Sequence, residues 1–180
     1  MSVILPIIEN IRREKRFSGS FAHQVSILHN QQCDLDDVRR VIYNSAEVHP
    51  DCLDRGSDIT HYTACRLVRE GAPGDRALQL INKRLGGPGA SFQLFPVNKK
   101  IDMTEWKENE TKIYEHVKKG GNRHAFMAFA AEYDDENEFE ICRPIKIYYH
   151  FALYENNERV GDFMEGVIDN PSPRGYKKII

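Results

Sequence analysis

The sequence predicts an α+β fold: a largely antiparallel sheet, a unit of two short strands and a helix, and additional N-terminal helices. Three observations carry the prediction. The stretch IDMTEWKENETKIYEHVKKGG (101–121) reads as a helix marked at both ends. Before it, an apolar segment, a glycine-rich turn and a short extended piece follow one another over 75–98. After Gly121 the pattern turns to β-prone, aromatic-rich runs.

In chain order, Ile4 to Phe17 mixes apolar and basic residues and reads as an extended arm leading into a short helix. It holds the strongest basic cluster, Arg12, Arg13, Lys15 and Arg16. Such a cluster fits a solvated face, a subunit contact or a nucleic-acid contact. Asp34 to Asn44 reads as a helix capped by Asp34, with Leu35, Val38, Val41 and Ile42 on one face. His61 to Gly71 reads as another, with Tyr62, Cys65, Leu67 and Val68 inward. Leu78 to Leu85 is a short apolar segment, RLGGPGAS a tight turn, and Phe92 to Val97 an extended piece that Pro96 keeps from being an interior strand.

The helix after Asp102 is the best-marked element. Asp102 suits the N-cap, with Glu105 in capping-box position. Lys118 and Lys119 oppose the dipole, and Gly120 and Gly121 can end the helix. Trp106, Glu110, Ile113 and Val117 share a face. Glu110 is the exception on that apolar stripe: it lies at the edge and reaches solvent, or it has a partner or a task. Strands then follow at His124–Tyr133, Phe139–Cys142 and Ile145–Tyr154, with a hairpin turn at Asn156-Asn157 and a return over Arg159–Ile168. The tail NPSPRGYKKII reads as an extended arm. The acidic turn around Asp134 lacks the glycine and ligand order of an EF-hand and reads as solvated.

The chain has 180 residues, enough for one domain with its own core. Its expected parts are an N-terminal extension (1–74), the strand–strand–helix unit (75–121), the sheet (122–170) and the arm (171–180). Apolar content of 41% and charged content of 29% are those of a globular protein. A net charge of -2 is not the balance of a strong phosphate binder. Cys33, Cys52, Cys65 and Cys142 lack zinc-like spacing and read as reduced thiols or, alternatively, disulfides. No run is apolar enough for a membrane span, and the first residues lack the order of a signal peptide; the expectation is an intracellular, cytoplasmic protein with no membrane partner.

INKRLGGPG, then FQLFP, then ID, then Trp106 ahead of a helical Glu resembles the DNA/RNA non-specific endonucleases of the ββα-metal class. The resemblance is close over about fifty residues, in order and spacing. It implies a ββα-metal nuclease-like core. Leu85, Gly86, Gly87 and Gly89 keep the glycine turn; Leu94, Phe95 and Pro96 keep the N-L-F-P core; Trp106 and Glu110 keep the aromatic and the acid. Departures fall on the chemistry. Gln79 stands where the family has its general-base His, Gln93 and Val97 where it has Asn and Gln, and Asp102 where an Asn holds the metal. Asp54-Arg55-Gly56-Ser57 is a rival spelling of the family's D-R-G-H, with Ser57 in the His place, but the register at Gln79 is better. His61 is unmatched.

Gln79 has no basic lone pair and cannot accept the proton of an attacking water, a role worth ~10²–10⁴-fold. Asp102 serves as N-cap or as a ligand for a hard cation. The resemblance therefore implies two alternatives. One is a degenerate member kept as a binding or assembly module, without a cofactor, with a protein partner or its own copies. The other is an active non-specific nuclease acting on nucleic acid through Mg or Mn, held by Asp102 and, through water, by Glu110. In the first, Gln79 is expected to donate to a carboxylate in a closed cleft formed with Asp102 and Glu110.

Overall fold

A computed structural model describes residues 1–19, 26–138 and 140–172. Helix α1 (Ile4–Lys15) leads to strands β1 (Ser18–Gly19), β2 (His29–Leu35) and β3 (Val41–Val48). Helix α2 (His61–Glu70), the strand pair β4 (Asp75–Gln79) and β5 (Leu94–Asn98), and helix α3 (Thr104–Lys118) follow. Strands β6 (Arg123–Tyr133), β7 (Pro144–Glu155) and β8 (Glu158–Asp169) complete the chain. Six strands form one antiparallel sheet in the order β1-β2-β3-β6-β7-β8, and β4 and β5 pair separately.

The sheet is covered on both faces, which is why β6 reads as a continuous apolar run rather than an alternation. Ala125, Met127, Phe129 and Ala131 of β6 point toward α3 and the β4–β5 pair. Ala128 and Ala130 point the other way, against Ile8 and Ile11 of α1. Trp106 of α3 is buried against Phe129, Tyr149 and Phe151, with ring centroids 5.0–5.7 Å away. The α3 stripe is as expected, with Ile113 and Val117 fully buried.

Several expectations are corrected. Residues 34–44 are not a helix but the end of β2, a turn and the start of β3. The Asp36 carboxylate accepts from the amides of Val38 and Arg40 and pairs with the Arg40 guanidinium at 2.7 Å. Those bonds hold a hairpin turn with Arg39 at φ +69°, and the β-branched run that follows prefers the strand. The N-terminal extension therefore builds half of the sheet. Arg12 is not a free basic contact: its Nε bonds the buried Asp34 at 2.5 Å and its guanidinium covers the Tyr43 ring. Residues 140–142 form a turn rather than a strand, because Arg143 beyond them is drawn into the core; Phe139 lies outside the described residues. Of the residues expected inward in α2, Leu67 is buried and Tyr62 and Cys65 are exposed; the side chain of Val68 lies outside the described residues. Residues 173–180 of the expected arm also lie outside them. All four cysteines are free. Among the described residues no helix is long and apolar enough to cross a membrane.

Asn156 and Asn157 take positive φ of 52° and 65° and join β7 to β8, as their residue type suggests. At its start, β4 is tied to the large sheet by one buried network. Arg143 Nε and Nη2 donate to Asp75 at 2.7 and 3.1 Å, and Nη1 donates to the Asn170 carbonyl at 2.8 Å. The Asn170 amide reaches the Pro96 carbonyl of β5 at 3.1 Å. The Arg143 and Asp75 side chains are 1% and 2% exposed. Removing one partner of such a pair strands a buried charge. Arg143→Ala should lower stability by about 3–5 kcal/mol, read as a shift of the urea unfolding midpoint; a loss under about 1 kcal/mol would show that the pair does not hold the two sheets together.

Candidate functional site

The turn between β4 and β5 brings together two of the residues that the sequence singles out, Gln79 and Glu110. Asn82 caps the short 3-10 turn Lys83–Leu85 through its side-chain oxygen, which accepts from the Leu85 amide at 3.1 Å. Gly86 follows at φ +95°, a conformation that favours glycine. A Cβ on Gly87 would stand 1.6 Å from the Ile81 carbonyl oxygen, so only glycine lets the chain fold back this closely.

Three further segments meet this turn. The loop at 54–57 lies along it: Asp54, Gly56 and Ser57 donate from their amides to the carbonyls of Arg84, Lys83 and Gly87 at 2.8, 3.0 and 3.1 Å. The rival motif is thus a wall of the same place rather than a separate site. Gln79, the last residue of β4, donates its amide to the Gly87 and Ser57 carbonyls at 3.2 and 3.4 Å. Glu110 of α3 comes from the other side and accepts from the Asn82 amide at 2.5 Å.

The expectation that Gln79 would satisfy a carboxylate is therefore corrected. Its donors are taken by two backbone carbonyls, and Asn82 supplies the bond to Glu110, because the 3-10 turn carries Asn82 rather than Gln79 against α3. Asp102 stands apart. It is exposed, and its Oδ1 accepts from the Thr104 amide and hydroxyl at 2.9 and 2.7 Å. Among the described residues no hydrogen bond or ion pair joins Asp102 to Gln79 or Glu110. The helix N-cap is Met103, without a side-chain bond, so the capping box with Glu105 is not formed; Asp102 acts one residue earlier, as an Asx turn. Nor is His61 drawn to these residues: its Nε2 lies 3.5 Å from Cys65 Sγ one turn along α2.

Burial separates the two carboxyls. That of Glu110 is pushed up to about 7, chiefly by desolvation, which outweighs the Asn82 bond, Lys107 and the Trp106 indole. That of Asp102 is held below its usual range by the Thr104 hydroxyl and amide. Glu110 sits in a cleft of about 190 Å³ whose walls carry Asn82, Arg84, Lys107 and Tyr114; neither Gln79 nor Asp102 lines it. Tyr114 donates to Asp54 at 2.6 Å, and the Arg84 guanidinium lies over the Tyr114 ring. Sequence reasoning missed Asn82. Its signal was present, as an Asn one residue ahead of a turn, in the position of a cap.

The fold has counterparts among solved structures. An extracellular endonuclease superposes with a TM-score of 0.53 at 10% identity, covering 83% of each chain. An extracellular nuclease gives 0.50 at 12% identity, over 83% of this chain and 92% of the other. No family profile matches the sequence, and a search of curated proteins finds no relative. The chain has a nuclease-like fold.

The Glu110 shift makes a pH dependence. Its native value of about 7 exceeds the ordinary 4.5, so between them the native state holds a proton that the unfolded chain has released. Stability therefore falls as pH rises through that window and levels off above it. Glu110→Gln removes the effect. From about pH 5 to about pH 8 the wild type should lose on the order of 1–2 kcal/mol more than the variant in denaturant titrations; parallel pH profiles would show that the carboxyl is not desolvated.

Proposed function

We propose that this chain is a degenerate relative of the DNA/RNA non-specific endonucleases, in which hydrolysis has been reduced and the site kept for binding or assembly. One observation carries the reading. Gln79 ends β4 where the resemblance puts the general base, and its amide is tied to the Gly87 and Ser57 carbonyls. An amide pinned as a donor at that place takes no proton from water. The electrostatics support the same reading. Lys83 pairs with Asp58 at 2.8 Å and Arg84 approaches Asp54 at 4.0 Å, so the basic groups of the turn face acids rather than an open phosphate track.

A second reading has its own support. Glu110 exchanges its proton near neutral pH, which suits a general acid or base. Asp102, exposed and ionised, fits a hard divalent cation such as Mg²⁺ or Mn²⁺ as one oxygen ligand; Glu110, half-neutral and bonded to Asn82, fits it less well. Such an ion would supply an activated water. In this reading Glu110 would hold or pass the proton, and Gln79 would only brace the turn.

Digestion of plasmid and RNA with Mg²⁺, Mn²⁺ or EDTA separates the two. The first reading expects cleavage at least about 10²-fold below a His-containing nuclease of the same fold. It also expects Gln79→His to raise that cleavage. Fast, EDTA-sensitive cleavage that vanishes in Asp102→Ala and is unchanged in Gln79→His would establish the second reading.

A further inference from the structure

Away from the cleft, three unlike donors converge where β2 begins and β3 ends. His29 Nε2 lies 2.9 and 3.1 Å from the two carboxylate oxygens of Asp51. Cys52 Sγ lies 3.7 Å from Asp51 Oδ1. One ligand atom from each of the three lies within 4.8 Å of the others. We propose that His29, Asp51 and Cys52 form a zinc site, closed by three protein ligands and one water. It is independent of the reading given above for Gln79 and Glu110.

The geometry comes from two local features. A register shift in β2 between His29 and Gln32, with Asn30 at φ +49°, is a bulge of the kind that re-aims a side chain. The 3-10 turn Pro50–Cys52 brings Asp51 and Cys52 to the same end of the sheet. Tetrahedral zinc has ligands at ~2.0–2.3 Å, which sets donors about 3.3–3.7 Å apart. The Asp51–Cys52 separation already meets that, the His29–Asp51 pair has to open by a few tenths of an ångström, and the His29–Cys52 pair, within 4.8 Å, has to come into the same range.

A His–Asp ion pair on the surface explains two of these groups but not the third. Cys52 is fully buried, and its sulfur donates to the Ile27 carbonyl at 3.1 Å, stands 3.7 Å from the Asp51 carboxylate and receives the His49 amide at 3.4 Å. A backbone N–H on sulfur is the outer contact that a coordinated thiolate uses. The imidazole is fixed as well. The rings of His29 and His49 stack at 4.1 Å, those of His49 and His124 at 4.7 Å, and those of His124 and Tyr154 at 4.9 Å. Glu47 holds His49 Nε2 at 2.8 Å. The column holds the His29 ring in plane, with Nε2 facing Asp51. The His29 and Asp51 side chains are 40% and 61% exposed, so the fourth position opens to solvent. On binding, the sulfur gives up its bond to the Ile27 carbonyl, the thiol proton leaves to water, and a zinc–sulfur bond forms. Nitrogen, oxygen and sulfur together suit zinc better than a hard cation.

Cobalt(II) titration of the full chain tests the site, because a thiolate ligand gives a sulfur-to-cobalt charge-transfer band that zinc then displaces. The expected result is one such site per chain. Cys52→Ser should abolish the band, and His29→Ala and Asp51→Asn should each weaken binding by more than about tenfold, the scale on which even outer contacts of a metal matter. The last two substitutions are at the surface, so their folding can be verified by circular dichroism if Cys52→Ser fails to fold. Cys65→Ser is the control, since Cys65 has its own neighbour in His61. Absence of the band, a band lost in Cys65→Ser instead, or unchanged binding in both His29→Ala and Asp51→Asn would overturn the assignment. Digestion of nucleic acid plays no part in this test, so it fails or succeeds apart from the nuclease reading.

Discussion

The close approach at Gly87 is the constraint on which the candidate site depends. The chain can turn back on Ile81 only without a side chain there. That turn points the Gly87 carbonyl at two donors, the Ser57 amide and the Gln79 side chain. It also brings the Gly87 amide onto the Asn82 carbonyl at 2.9 Å, which sets Asn82 against Glu110. One backbone feature thus locks three segments far apart in sequence: the 54–57 loop, the end of β4 and the middle of α3. The Gly86 turn sits directly on Cys52, where a Cβ would meet the Cys52 carbonyl at 2.7 Å, so the histidine column and the cleft flank the same loop.

How much of this was legible in the sequence depended on whether the decisive contacts were local. Helix α3 was readable because its signals lie within it: the stripe through Trp106, Ile113 and Val117, the basic last turn and the positive-φ Gly120 and Gly121. The β7–β8 hairpin was readable from Asn156-Asn157 for the same reason. Residues 34–44 misled because Leu35, Val38, Val41 and Ile42 satisfy a helical period by accident. What decides there is the Asp36–Arg40 pairing and the bond from Arg40 Nη2 to Asp135 at 2.6 Å, which is a contact across 95 positions. The pairing of Glu110 with Asn82 was illegible because nothing in either segment names the other. The anomaly of an acid on an apolar stripe did point to a partner, but not to which one.

The two carboxyls show how one short stretch carries opposite chemistries. Asp102 and Glu110 are eight residues apart, about 12 Å along an α-helical axis. At the exposed end, two donors from Thr104 keep Asp102 ionised. In the cleft, desolvation dominates and the nearby Lys107 only partly offsets it. Environments that push two acids apart are how acid and base roles are assigned in hydrolytic sites. The same separation costs stability at Glu110, because a half-buried carboxyl is easier to fold when protonated. A residue kept purely for packing would not need that cost, and Ile113 and Val117 on the same face show the apolar alternative.

At the end of β4 stands Gln79, whose side chain makes hydrogen bonds but carries no titratable proton. The 3-10 turn before the glycines and helix α3 wall the Glu110 cleft, and the end of β4 does not reach it. A histidine at the end of β4 would have one ring nitrogen to anchor and one to use. Gln79 offers two N–H groups and one weakly basic oxygen, and its nitrogen is already committed to the backbone carbonyls of Gly87 and Ser57. That arrangement ties the end of β4 to the glycine turn and to the 54–57 loop. The acid of the cleft is Glu110, its carboxyl pushed up to about 7 and set between Asn82 and Lys107, while Asp102 stands outside it.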